Sequence, residues 1–135
     1  MSMTSSLTLT QFKQFDQESL RVNFGKQHIT AKVNAVRFID KDTKMSVIYI
    51  PALELSGYGE SFGQAEEMLS FNVSELFTHL VQLSLNKLEA ELRDMGWKKS
   101  LFNKVYSKAS VDMGGVLQNF NAENDTVEPV ALTAA

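Results

Sequence analysis

Cysteine is absent from the 135 residues. That excludes disulfides, thiolate metal sites and cysteine nucleophiles together. A surplus of positive charge is missing too: 13 Lys and Arg stand against 16 Asp and Glu, a formal net charge of −3. Broad phosphate-backbone binding rests on such a surplus, so a general nucleic-acid coat is excluded. No apolar run approaches the roughly 20 residues that a membrane helix needs. The opening MSMTSSLTLTQFKQF lacks the basic start and unbroken apolar stretch of a signal peptide. A cytoplasmic protein without membrane association is the expectation. Histidine is scarce, with only His28 and His79, and neither has an acidic partner at ligand spacing. No zinc site is expected.

What is present is an ordinary globular balance, 44% hydrophobic and 21% charged. The length suits one domain with a real core, 1–135. Residues 7–26 fit helix and strand about equally, because Phe12, Phe15, Ser19 and Val22 share a helical face while LTLT and LRVNF suit strands. HITAKVNAVRFI, 28–39, alternates clearly and predicts a strand with one buried face. DKDTK then turns, and MSVIYIPAL predicts the partner strand of a hairpin. Pro51 cannot donate to a ladder and should mark a strand end or bulge. Leu53 to Tyr58 predicts a third strand.

A helix should begin at Ser61. Gln64 follows at capping-box spacing, and Glu66 and Glu67 suit the positive end of the helix dipole. Phe62, Ala65, Leu69, Val73, Leu76 and Leu80 keep helical spacing, and Leu85, Leu88, Leu92 and Met95 continue it into a second or bent helix. Gly96 predicts the left-handed residue after the helix, with Trp97 packing behind it. A fourth strand is expected over 106–113. Gly114-Gly115 reads as a turn, VLQNF as a further strand, and VEPVALTAA as an edge strand or tail.

Few patterns carry chemistry. SGYG, 56–59, lies between a strand and a helix, but it is not GxGxxG and no Gly-Lys-Ser/Thr follows. Glu60, Glu66 and Glu67 would repel a phosphate, so the glycines read as a sharp strand-to-helix turn. Asp40 and Asp42 lack the rest of a calcium loop and read as solvated turn residues. No Gly-x-Ser-x-Gly is present. Metal-dependent chemistry would need Asp40, Asp42, Glu54 and Asp112 to converge from separate elements. No catalytic residue, cofactor or small-molecule substrate is therefore expected. Charge is unevenly spread: Met45 to Asn86 holds five acids and no Lys or Arg, while Lys87 to Lys108 holds six basic residues and three acids. An acidic surface of this kind can steer a basic protein partner.

IYIPALELSGYGESFGQAEEML resembles the core motif of the HicB-like antitoxin family, through Pro51, Gly57, Gly59, Glu60, Ser61 and Ala65. LNKLEAELRDMGW, 85–97, resembles the leucine-rich segment ending in Gly-Trp of small Bacteroidetes-type members. The resemblance spans about 29–113. It implies an α+β domain with a partial RNase H-like β-β-β-α-β core, about 28–113, an additional helix, and peripheral segments at 1–27 and 114–135. It implies a non-enzymatic module that masks a small basic RNA-cleaving toxin; the alternative is an orphan oligomerisation or scaffold domain of the same fold without a toxin partner. Pro51, Gly57, Gly59, Ser61, Gln64, Ala65, Gly96 and Trp97 would be the fold motif. Tyr58, Glu60, Glu66 and Glu67 would meet the partner. The acidic C-terminal segment differs from the DNA-binding ends of many members, so DNA binding is not expected. A homo-oligomer is, through an edge near Val127 to Leu132.

Overall fold

The computed structural model describes residues 7–100, 105–109 and 113–135. Eight strands form one sheet, and every pairing among the described residues is antiparallel. In chain order they are β1 (Leu7–Gln11), β2 (Gln17–Asn23), β3 (His28–Ile39), β4 (Ser46–Ile50), β5 (Leu55–Gly59), β6 (Lys98–Lys99), β7 (Val105–Ala109) and β8 (Glu128–Ala134). Helices α1 (Phe62–Gln82) and α2 (Leu85–Asp94) follow β5, and the short α3 (Met113–Leu117) follows β7.

The long strand β3 organises the sheet. One of its edges pairs with β8. The other pairs first with β2 through His28 to Lys32 and then with β4 through Val36 to Ile39. A fork opens between them at Asn34, where no strand among the described residues lies along that edge. Polar side chains fill the gap. The Asn34 N–H donates to Glu18 Oε2 at 3.0 Å. Its side-chain amide accepts from the Phe15 N–H at 2.6 Å and donates to the Phe15 carbonyl at 2.9 Å. Buried backbone groups must find partners, and here they are side chains.

One face of the sheet carries the main core. Leu20, Val22, Ile29, Ala31, Val33, Ala35, Ile48, Val130 and Leu132 meet Ala65, Leu69, Val73, Phe77 and Leu80 of α1 and Leu88 and Leu92 of α2. On the other face Phe38 and Tyr49 pack against Phe120, with ring centroids at 5.3 and 4.9 Å. Both faces of β3 are therefore covered toward its end, which explains the unbroken burial of Val33 to Val36.

Helix α1 lies on β5 with almost no gap. A Cβ on Gly57 would stand 2.2 Å from the Ala65 carbonyl oxygen and 2.7 Å from the Leu69 nitrogen. On Gly59 it would stand 2.4 Å from Gln64 Cβ. Ser61 caps the helix by accepting the Gln64 N–H at 3.2 Å. The Gln64 side chain answers one residue earlier than a standard capping box, accepting the Glu60 N–H at 2.9 Å. Gly96 has φ 94°, and the Trp97 indole N–H donates to the Ala52 carbonyl at 3.1 Å. Pro51 begins a 3-10 turn directly after β4.

The topology overturns the expected partial RNase H-like β-β-β-α-β core with peripheral ends. Residues 7–26 hold the strands β1 and β2, and β2 supplies the antiparallel neighbour of both β3 and β7. The C-terminal segment is not peripheral either, because β8 lies between β1 and β3 with Val130, Leu132 and Ala134 fully buried. The edge proposed near Val127 to Leu132 is thus occupied on both sides. Gly114 and Gly115 belong to α3 rather than a turn, and VLQNF spans the end of α3 and the turns after it. Gly57 and Gly59 are strand residues, and their smallness serves the approach of α1 rather than a sharp turn. The expected strand over 106–113 is observed up to Ala109, and residues 110–112 lie outside the described residues.

Candidate protein-binding surface

The residues that could meet a partner sit on β5 and α1. Tyr58 is 53% exposed. Its neighbours Gly57 and Gly59 face α1, so alternation along the strand turns the Tyr58 ring to the opposite side of the sheet. Glu60 and Glu67 are exposed, whereas Glu66 is half-buried. Successive helix residues point about 100° apart, so Glu66 and Glu67 do not share one patch. The structure therefore separates the four residues into Tyr58 below the sheet, Glu60 at the joint, Glu67 on the outer face of α1, and Glu66 to its side.

The outer face of α1 holds a residue that the sequence reading passed over. Phe71 is 61% exposed. Glu67 and Glu75, both exposed, lie one helical turn before and after it. The signal was legible: Phe71 falls off the apolar stripe formed by Ala65, Leu69, Val73 and Leu80. The ring therefore stands on the polar face of an amphipathic helix, largely uncovered by the described residues.

The free edge of β5 is closed. Asn72 Nδ2 donates to the Ser56 carbonyl at 2.8 Å. The Tyr58 N–H meets Met68 Sδ at 3.4 Å. These are two of the outward-facing backbone groups of the strand, and α1 side chains engage both. A partner at this edge would meet side chains rather than a free ladder.

Several basic side chains are already engaged. Arg37 donates to Glu128 at 2.6 Å, lies 4.4 Å over the Phe62 ring, and takes the Gln11 amide oxygen at 2.8 and 3.2 Å when that amide is turned toward it. Lys99 pairs with Glu89 at 2.7 Å, and this partner raises its pKa. Lys108 donates to the Met95 carbonyl at 2.5 Å. His79 bridges α1 to Glu91 of α2 at 2.9 Å.

A cleft of about 350 Å³ opens between Phe24, Leu83, Leu85, Lys99 and Tyr106. Burial pushes the Tyr106 phenol up, with neighbouring Glu89 adding to the shift. Lys99 enters this cleft already neutralised by Glu89. Among the described residues no group of three or more His, Asp or Glu could hold a metal ion. Asp40 is tied into its own turn: it accepts from the Thr43 N–H and hydroxyl and from the Asp42 N–H, and the Thr43 bonds hold its carboxyl below the usual range. Asp112 lies outside the described residues. No helix among the described residues is long and apolar enough to cross a membrane.

Scans against family models, curated proteins and solved structures each found no match.

Proposed function

We propose that this chain is a non-enzymatic protein-binding module whose partner is a small basic protein, and that it acts in the HicB-like manner by covering an RNA-cleaving toxin. The observation that carries the reading is the outer face of α1, where Phe71 stands exposed between Glu67 and Glu75. An aromatic anchor ringed by charge of one sign suits a partner that offers an apolar pocket with basic residues around it. The motif residues of 48–69 and 85–97 support the antitoxin form through their resemblance. The closed edge of β5 favours docking through side chains over strand addition at that edge.

Co-expression with whatever small basic protein is encoded beside this chain tests the reading. Co-purification of the pair is expected, together with relief of that protein's growth arrest. Phe71→Ala should weaken the complex at least about tenfold, since a central aromatic hot spot costs about 2 kcal/mol or more when truncated. Glu67→Lys with Glu75→Lys should abolish capture. Absence of any small basic protein from the complex overturns the proposal, as does capture that survives these changes unaltered.

A further inference from the structure

The eight-stranded sheet ends in three strands, and two are protected. On β5, Asn72 and Met68 of α1 reach across the edge to the Ser56 carbonyl and the Tyr58 N–H. The β6 strand is two residues long and both are exposed lysines, Lys98 and Lys99. Short, charged edges resist pairing with another chain. The third, β1, has neither device among the described residues. It runs for five residues, LTLTQ, with no charge and no proline.

The register fixes what β1 presents. Phe12 donates its N–H to the Pro129 carbonyl at 2.8 Å. Hydrogen-bonding positions alternate along an antiparallel pair, so Thr8 and Thr10 also face β8, opposite Thr133 and Ala131. Leu7, Leu9 and Gln11 therefore aim their N–H and C=O groups away from the molecule. The side chains of Leu7 and Leu9 pack on the core but remain half-exposed. At the end of the same strand Phe12 is 70% exposed and has φ 58°. A bulky side chain in the left-handed region is strained, and here the described residues leave most of the ring exposed.

We infer that β1 is a self-association edge, pairing antiparallel with β1 of a second copy about a twofold axis through Leu9. In that register Leu9 meets Leu9 of the second copy, and Leu7 meets Gln11. Every outward N–H and C=O of the three residues then gains a partner. The half-exposed Leu7 and Leu9 side chains of both copies come together on the helix side of the joined sheet. Thr8 stands opposite Thr10 on the other side. The junction is isologous and closes after two copies. It lies on an edge strand separate from Phe71, and it stands whether or not a toxin partner exists.

Light scattering on the full chain at about 50 µM tests the inference. A dimer is expected, with amide exchange at Leu9 that slows as concentration rises. Thr8→Lys with Thr10→Lys opposes like charges across the twofold at positions exposed in the monomer. This variant should keep its circular dichroism and melting temperature while weakening the dimer at least tenfold. Leu9→Pro removes the central outward N–H and should act in the same direction. A monomeric wild type overturns the inference, including one that dimerises only on a foreign strand. A dimer equally stable in the lysine variant overturns it as well. Charge reversal at Glu67 and Glu75 should leave this dimer unchanged, so failure here and failure of the toxin-binding proposal read out separately.

Discussion

Two glycines of this chain look alike in sequence and differ in consequence. Gly57 lies where α1 touches β5, and an added methyl would enter the backbone at Ala65 and Leu69. Backbone cannot move aside as a side-chain tip can. Gly57→Ala should destabilise the fold by roughly 3 kcal/mol, the upper range for overpacking. Gly63 lies in the first turn of α1, and the closest atom its Cβ would meet is Ser61 Oγ at 3.7 Å. Gly63→Ala should stabilise by about 0.5–1 kcal/mol, because alanine loses less backbone entropy in a helix. Urea midpoints of the two variants should move in opposite directions. Equal losses would remove the close-approach explanation for the SGYG motif.

Glu18 is the other residue whose behaviour follows from its place. It is fully buried beside the fork in the sheet, with Oε2 bonded to the Asn34 N–H and Oε1 without a partner among the described residues. Burial raises its pKa above the ordinary 4.5, against the lowering pull of the Asn34 N–H and of Lys108. A raised carboxyl means that the folded state binds its proton more tightly than the unfolded state does. This contribution to stability is whole below pH 4.5 and is lost as pH rises through the raised value. Glu18→Gln keeps an acceptor for Asn34 and cannot ionise. Its denaturation midpoint should fall less between mildly acidic and neutral pH than that of the wild type. Parallel profiles would show that Glu18 does not carry the titration.

At the scale of elements, legibility followed sequence distance. The β3–β4 hairpin and the start of α1 were readable because alternation, the DKDTK turn and the Ser61–Gln64 cap act over a few residues. The partners of β1 and β8 were not. LTLTQ and EPVALTA lie more than 100 residues apart and pair only when both are present. Pro129 also argued for an edge, because proline lacks the N–H that an interior strand needs. In the sheet Pro129 sits opposite Phe12, where β1 ends, so its missing donor disrupts little of the ladder. The candidate surface was legible only in its acids. Phe71 was visible as an off-stripe aromatic, but its exposure depends on no other element covering α1 there.

The interior position of β8 gives a test at this scale. Removing residues 128–135 withdraws one neighbour of β3, the sole neighbour of β1, and the buried side chains of Val130, Leu132 and Ala134. Leucine-sized core deletions cost about 2–5 kcal/mol each, against a total stability of about 5–15 kcal/mol for a typical domain. The truncated chain should not fold, and Trp97 fluorescence should resemble that of urea-unfolded protein. A folded truncation would mean that the remaining sheet is self-sufficient, as the peripheral reading of 114–135 required.

For the molecule as a whole, two surfaces of different physics predict two salt responses. The α1 face rests on Glu67 and Glu75 around an aromatic ring, in a stretch from Met45 to Asn86 that holds five acids and no Lys or Arg. Its attraction for a basic partner is screened once the Debye length shrinks from about 10 Å at 0.1 M salt toward 3 Å at 1 M. The association rate should fall first, because steering acts before contact. The β1 edge carries no charged residue at all. Its backbone hydrogen bonds and leucine contacts give salt little to screen, and a salting-out ion such as sulfate strengthens apolar burial. Raising sodium chloride from about 0.05 to 0.5 M should therefore weaken capture of a basic partner at least tenfold and leave the dimer mass unchanged. Loss of the dimer over the same range would show that charged side chains hold the copies together, and the β1 register would then be wrong. Partner binding indifferent to salt would place the contact away from the acidic face of α1.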